Sequence, residues 1–344
     1  MERPVRVLQS FPKPRPTTNP YLVMLREALD DLPGVQVETF SWRRALIGRY
    51  DVFHVHWPEI LVSGRGSLRT SVRQVLFAGL LLRLRLGRTP IVQTVHNLRP
   101  HQERSGIAAR LLRRLERRTT AHVRLNDRTP ATDGVWGVTI AHGHYRGWFD
   151  RHPRRDPRPG HLVSVGLIRP YKNLPGLIAA FSDAGAADPT LTLHVAGAPD
   201  SAATEQEVRS AVRDGDDVRL TLRHLDDAEL VAAVTGAELV VLPYKEMHNS
   251  GAALLALSLD RPVLVPDNEV TADLSAEVGP GWVHRYAGEL SARTLLDVLA
   301  ALRTGTRAPR PDLSRREWDR AAAVHAEVYR RAAPGGAGSR RYSR

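Results

Sequence analysis

The sequence predicts an α/β protein of two doubly wound domains, each a mostly parallel sheet with helices on both faces. Three observations carry this prediction. The chain has 344 residues, more than one ordinary domain needs. Short β-branched runs alternate with longer runs of helical period along its whole length. A stretch dense in proline and charge, RHPRRDPRPG from Arg151 to Gly160, has no apolar periodicity and separates two such series. The resulting division is a first domain over 1–150, a linker over 151–160, a second domain over 161–313, a final helix over 314–333 and a Gly- and Arg-rich disordered tail over 334–344.

In the first domain, VRVLQSF reads as a strand and Tyr21–Leu32 as a helix. VQVETF and DVFHVHW are further strands, and a basic helix runs from about Leu68 to Leu86. PIVQTVHN is a strand, a second basic helix spans about Gly106 to Arg118, and AHVRLN and WGVTIAH close the series. In the second domain, strands are expected at HLVSVG, LTLHVAG, VRLTL, ELVVLP, RPVLVP and GWVH. Helices are expected near 174–183, 203–214, 227–234, 250–259 and 291–303. The run SRREWDRAAAVHAEVYRRA reads as a last helix opened by a capping box of Ser314 and Glu317.

Composition narrows the function. With no cysteine, disulfides and thiolate metal sites are excluded. The opening MERPVRVLQSF runs almost directly into a strand, so no leader is expected, and no apolar run approaches the ~20 residues that span a bilayer. A cytoplasmic protein, peripheral on the inner face of the cell membrane, fits these features. The net charge is +12, and only Lys13, Lys172 and Lys245 among the 49 basic residues are lysines. From Arg65 to Arg124 fourteen arginines stand against Glu103 and Glu116 alone. Such a field suits an anionic membrane surface. Nucleic acid is not expected, because no binding motif or aromatic–basic interleaving is present.

In open parallel sheets ligands lie beyond the carboxyl ends of the strands, so the residues just after each strand deserve the closest reading. After VSVG come Arg169 and Lys172, two cations in one strand-to-helix loop, suited to a diphosphate. Gly166 lets the backbone approach closely. After ELVVLP come Tyr244, Lys245, Glu246, His248, Asn249 and Ser250. Asn249 or Ser250 can cap the helix whose free amides at Gly251, Ala252 and Ala253 face an anion or hydroxyl. In the first domain, His54 and His56 share a strand face and Glu59 follows at the strand end, a candidate general base. His96 and Asn97 follow another strand, with His101 and Glu103 a reserve acid–base pair. His142 and His144 lie near the hinge. The loop FPKPRPTTNPY, with four prolines, two threonines and Asn19, is a stiff polar stretch that opens a helix at Tyr21. The sequence DGD at Asp214–Asp216 is read as a turn on the wrong side of the sheet for a metal site.

The loop with Gly166, Arg169 and Lys172, followed by an acid before a small-residue helix and RPVLVP, resembles the donor half of the GT-B glycosyltransferases. It is similar to their retaining Glu-x7-Glu group, with Glu246 in the first position and the apolar Leu254 where the second glutamate would fall. NSGA and LALSL, with HVHWPE in the first domain, also resemble bacterial exopolysaccharide β-mannosyltransferases, which invert. The resemblance implies a nucleotide-sugar donor, GDP-mannose, as co-substrate, with no metal or other cofactor. It implies a glycan or polyprenyl-diphosphate-linked acceptor in polysaccharide or glycolipid synthesis, and His96 against the donor sugar. The alternatives are a retaining transfer from another nucleotide-sugar and a non-catalytic, membrane-associated binding protein.

Overall fold

The computed structural model describes residues 3–15, 17–64, 66–97 and 106–334. His101 and Glu103, and the tail beyond 334, fall outside them. The first unit comprises 1–143 and 315–344, the second 144–314.

The first unit runs β1 (Val5–Gln9), α1 (Pro20–Asp30), β2 (Val35–Glu38), α2 (Trp42–Ile47), β3 (Val52–Val55), α3 (Glu59–Val62), α4 (Ser67–Leu86), β4 (Ile91–Val95), α5 (Gly106–Glu116), β5 (Thr119–Arg124) and β6 (Trp136–Thr139). Its sheet has the order β2-β1-β3-β4-β5-β6, all parallel. Successive strand side chains point to opposite faces, and both faces are covered. Val7 joins a core with Leu25, Leu29 and Val123, whereas Leu8 joins one with Phe53, Phe77, Leu80 and Leu84.

The second unit runs α6 (Arg146–Phe149), β7 (Arg158–Val165), α7 (Leu174–Ala187), β8 (Thr192–Ala196), α8 (Ala202–Ser210), β9 (Val218–Thr221), α9 (Asp227–Thr235), β10 (Ala237–Val241), α10 (Gly251–Ser258), β11 (Val263–Pro266), α11 (Glu269–Val278), β12 (Val283–Tyr286) and α12 (Ala292–Thr304). Its parallel sheet has the order β12-β11-β10-β7-β8-β9. The winding reverses between β7 and β10, and in the first sheet between β1 and β3. Such reversal points open the crevices where these sheets hold ligands.

The last helix, α13 (Trp318–Ala332), returns to the first unit. Trp318, Ala322, Ala326 and Tyr329 are buried in the core that contains Val7, Leu25 and Val92. Its period of three and four residues gives one apolar face, which the α1 side of the first sheet takes up.

Three expectations need correction. Residues 144–150 belong to the second unit rather than to 1–150. The Tyr145 amide donates to Ser258 Oγ at 2.9 Å, Trp148 Nε1 to Asp227 Oδ2 at 2.9 Å, and Arg146 to the Pro311 carbonyl at 2.8 Å. The stretch 151–160 is not all linker, because β7 begins at Arg158, where an exposed strand end tolerates polar side chains. The capping box of Ser314 and Glu317 is not formed. Ser314–Arg316 make a 3-10 turn with the Ser314 amide on Asp312 Oδ1 at 2.9 Å, and Glu317 stands at the N-cap of α13 without a side-chain capping hydrogen bond.

Candidate functional site

The second unit brings two loops together at the carboxyl ends of the adjacent strands β7 and β10. Gly166 leaves β7 at φ +104°, a backbone region that suits glycine. The chain then makes a 3-10 turn over Pro170–Lys172, and Asn173 at φ +52° redirects it into α7. This turn swings the Lys172 side chain back over the strand end. Its Nζ lies 4.9 Å from the centre of the Tyr244 ring and 3.3 Å from where a Cβ on Gly166 would sit. The Lys245 amide donates to the Tyr171 carbonyl at 2.9 Å, and the Tyr171 and Tyr244 rings meet edge to face at 5.8 Å. The two loops are therefore one structure.

Lys172 is only 8% exposed, yet no carboxylate among the described residues pairs with it. Burial lowers its ammonium to about 8, and the charge of Arg169 pushes the same way. Arg169, half-buried, also has no ion pair or side-chain hydrogen bond among the described residues. A buried cation without a counter-charge is costly, and two together make a site that an anion would stabilise. The Tyr244 phenol, pushed up by burial, stays neutral.

The rest of the second loop is held from below. Asn268 Nδ2 donates to the Met247 carbonyl at 2.9 Å. Ser250 Oγ caps α10 by accepting from the Ala253 amide at 3.2 Å, as the sequence predicts. Gly251 opens α10 close to the Tyr145 hydroxyl, which a Cβ there would approach to 3.2 Å. Lys245 and Glu246 are exposed, and Asn249 is half-buried. Leu254, in the place of the second glutamate of the Glu-x7-Glu pattern, is 5% exposed in the core of α10. Gly197 supports the loop from β8: a Cβ on it would lie 2.0 Å from the Gly166 carbonyl oxygen. Gly197→Ala is therefore expected to displace Gly166 and Lys172, at a cost of about 2–4 kcal/mol. A lower unfolding midpoint would show it, and an unchanged midpoint would refute it.

The first unit presents a different arrangement at the carboxyl ends of β1, β3 and β4. Thr94 Oγ1 meets His54 Nε2 at 2.9 Å, and His54 Nδ1 meets the Tyr329 hydroxyl at 2.7 Å. Gln9 Nε2 donates to that hydroxyl at 3.1 Å, while Gln9 Oε1 meets His56 Nε2 at 3.0 Å. His56 Nδ1 meets His96 Nε2 at 3.1 Å, and Trp57 stacks on His96 at 3.9 Å. With Gln9 oriented this way, His56 donates from Nε2 and accepts at Nδ1. His96 then donates from Nε2, leaving Nδ1 as its unprotonated nitrogen. Burial holds His54 and His96 well below the usual histidine range, His56 at about 3 and His142 at about 4.

Glu59 opens the four-residue α3, half-buried, rather than ending a strand. Gln9 and Tyr329 are absent from the sequence reading. A polar residue at an inward position of VRVLQ was the one available signal for Gln9, whereas nothing local shows that α13 brings Tyr329 to β1. Among the described residues no group of three or more His, Asp or Glu side chains could hold a metal ion.

Two parallel six-stranded sheets flanked by helices are the architecture of the GT-B class of glycosyltransferases, and solved structures agree with this fold. The chain resembles a glycosyltransferase of avilamycin A biosynthesis, AviGT4 (TM-score 0.57, 15% identity, 95% of this chain and 98% of that one). It also resembles an E. coli trehalose-6-phosphate protein bound with UDP-2-fluoro glucose (0.62, 10%, 94% and 98%). A third is HepE of Anabaena in complex with UDP and glucose (0.58, 11%, 94% and 97%). No protein-family model matches the chain. Two curated relatives, both a GDP-mannose:glycolipid 4-β-D-mannosyltransferase of Xanthomonas campestris pv. campestris, are each 43% identical over 325 residues, 94% of this chain and 92% of theirs. The chain belongs to the family of these mannosyltransferases and is a glycosyltransferase.

Proposed function

We infer that the enzyme transfers mannose from GDP-mannose to a glycolipid acceptor, forming a β-linkage. The reaction named for its relatives supports this, over nearly the whole of both chains. The observation that carries the donor half is the buried Lys172, unpaired beside Arg169 at the β7–β10 crevice. These cations would hold the diphosphate and stabilise the charge that develops as GDP departs, a role that needs no metal. Gly166, Tyr244, Asn249, Ser250 and the first amides of α10 would line the nucleotide-sugar, with Glu246 on its hydroxyls.

A β-product from an α-linked donor requires inversion, so an acceptor hydroxyl attacks directly and a base takes its proton. Glu59 is our base and His96 the contact to the transferred sugar. His96, neutral and oriented by His56, can accept a hydrogen bond at Nδ1 without bringing a charge that would repel the forming oxocarbenium ion. A lipid-carried acceptor would be met at the anionic inner face of the cell membrane, with α4 and α5 towards it. No helix among the described residues is long and apolar enough to cross a membrane.

Thermal denaturation with GDP-mannose, UDP-glucose and dTDP-glucose tests the donor. Selective, concentration-dependent stabilisation by GDP-mannose is expected. The anomeric configuration of the product, read by NMR, tests inversion: an α-linked product would establish retention instead.

A further inference from the structure

The polar chain at the carboxyl ends of β1, β3 and β4 has a direction. It runs Thr94–His54–Tyr329–Gln9–His56–His96 through contacts of 2.7–3.1 Å, and all six residues are buried. Burial makes each of these bonds costly to lose. A neutral imidazole carries one donor and one acceptor, and a hydroxyl has a single hydrogen, so the direction of one bond sets the next. Gln9 donates from Nε2 to the Tyr329 hydroxyl. The Tyr329 hydrogen then goes to His54 Nδ1, and the His54 proton stays on Nε2, donated to Thr94 Oγ1. On the other side, Gln9 Oε1 accepts from His56 Nε2, and His56 Nδ1 accepts from His96 Nε2. Every bond points from His96 towards Thr94.

The members differ in how they keep this direction. An imidazole changes tautomer, and a hydroxyl turns, by moving a proton alone. The carboxamide reverses only by a half-turn of its heavy atoms, since its oxygen never donates and its nitrogen never accepts. The opposite direction is equally complete. Thr94 would donate to His54, His54 to Tyr329, and the last proton would sit on His96 Nδ1. The rings and hydroxyls therefore leave the His96 tautomer undecided, and the Gln9 amide decides it. The acceptor that the amide nitrogen needs comes from Tyr329, carried on α13. The plane of His96 has a separate support. Trp57, at φ +33°, a backbone region costly for a bulky residue, stacks on His96 with centroids 3.9 Å apart. Stacking fixes the plane of the imidazole but not which nitrogen carries the proton.

We propose that Gln9 is a positioning residue for glycosyl transfer: through His56 it fixes the tautomer in which His96 meets the transferred sugar, and Tyr329 holds the carboxamide in that orientation. This role rests on the sugar contact assigned to His96 under the proposed function. It adds two residues that burial keeps from the substrate.

Nitrogen NMR of the full chain with labelled histidines, without donor, reads which ring nitrogen is protonated. The parent is expected to show His56 and His96 protonated on Nε2. Gln9→Met, of similar length without the polar end, and Tyr329→Phe are expected to lose the single tautomer and populate the Nδ1–H form of His96. Each should lower kcat about tenfold or more, with GDP affinity in calorimetry kept within about twofold. His325→Leu is the control. His325 packs against His54 and Tyr329, but its Nδ1 bonds to the Ala321 carbonyl outside the chain, so this variant should keep the parent His96 signal and kcat. A parent His96 protonated on Nδ1 would overturn the proposal. So would Gln9→Met and Tyr329→Phe variants with the parent tautomer, whether or not kcat falls, because a fall without a tautomer change is damage to packing alone. A changed tautomer with unaltered kcat would leave the hold of Gln9 on His96 intact and remove the sugar contact instead. Either variant carries the test should the other fail to fold.

Discussion

Lys172→Met is expected to fold as well as the parent chain, or better, while binding GDP-mannose about 10–100-fold more weakly and transferring mannose correspondingly more slowly. The two effects have opposite signs for one reason. In the free protein the ammonium is buried against Tyr244 and Gly166 with no carboxylate among the described residues, so its charge costs stability. Methionine keeps the apolar stem under the Tyr244 ring and removes the charge. In the complex that charge would meet the diphosphate, where a charge-assisted bond contributes ~1.5–3 kcal/mol. Adding Arg169→Gln is expected to deepen the loss by about as much again. The pH dependence follows the same charge. With the ammonium at about 8, donor affinity should fall as pH rises from 7 to 9. Calorimetric titration with GDP-mannose reads both. Undiminished affinity in the double variant would remove the donor site from these loops.

The second large effect is acid lability of the first unit. His54, His56, His96, His142 and His325 are buried there, and all are held below the ordinary histidine value, His56 at about 3 and His142 and His325 at about 4. Burial is the largest cause in each. The unfolded chain titrates near 6.5, so below that pH it binds protons that the folded unit refuses. Stability is therefore complete above about pH 7 and falls through the window from 6.5 down towards 4. His56, His142 and His325 would each contribute about 2 kcal/mol of loss by pH 5. Urea titrations at pH 8 and pH 5 should show a steep drop in midpoint. His325→Leu offers the sharper test, because His325 Nε2 is buried without a partner among the described residues. That variant should be near neutral at pH 8 and stabilising at pH 5. Equal midpoints for parent and variant at pH 5 would show that His325 does not titrate in this way.

The sequence made some of this legible. Strand ends and loop chemistry are local, so Gly166, Lys172, Tyr244 and the Ser250 cap could be placed from residue type and order alone. The sheet order, which sets β7 beside β10 and lets Lys172 reach Tyr244, is not local. It follows from packing two covered faces. α11 was missed because its start, Asn268 with Thr271, is a capping box without the usual glutamate. The histidine pair of HVHW was visible as a strand face, but its partners come from β1, β4 and α13, remote in sequence. Residues 144–150 read as the end of the first domain because β6 precedes them. The Ser258, Asp227 and Pro311 contacts that claim them come from far down the chain.

The return of α13 has a consequence for biosynthesis. While the polypeptide emerges from the ribosome, the second unit, contiguous from 144 to 314, is complete before the first. The core of the first, which holds Leu25 and Val123, is completed only when Trp318 and Tyr329 of α13 have been made. Assembly order is thus the reverse of synthesis order.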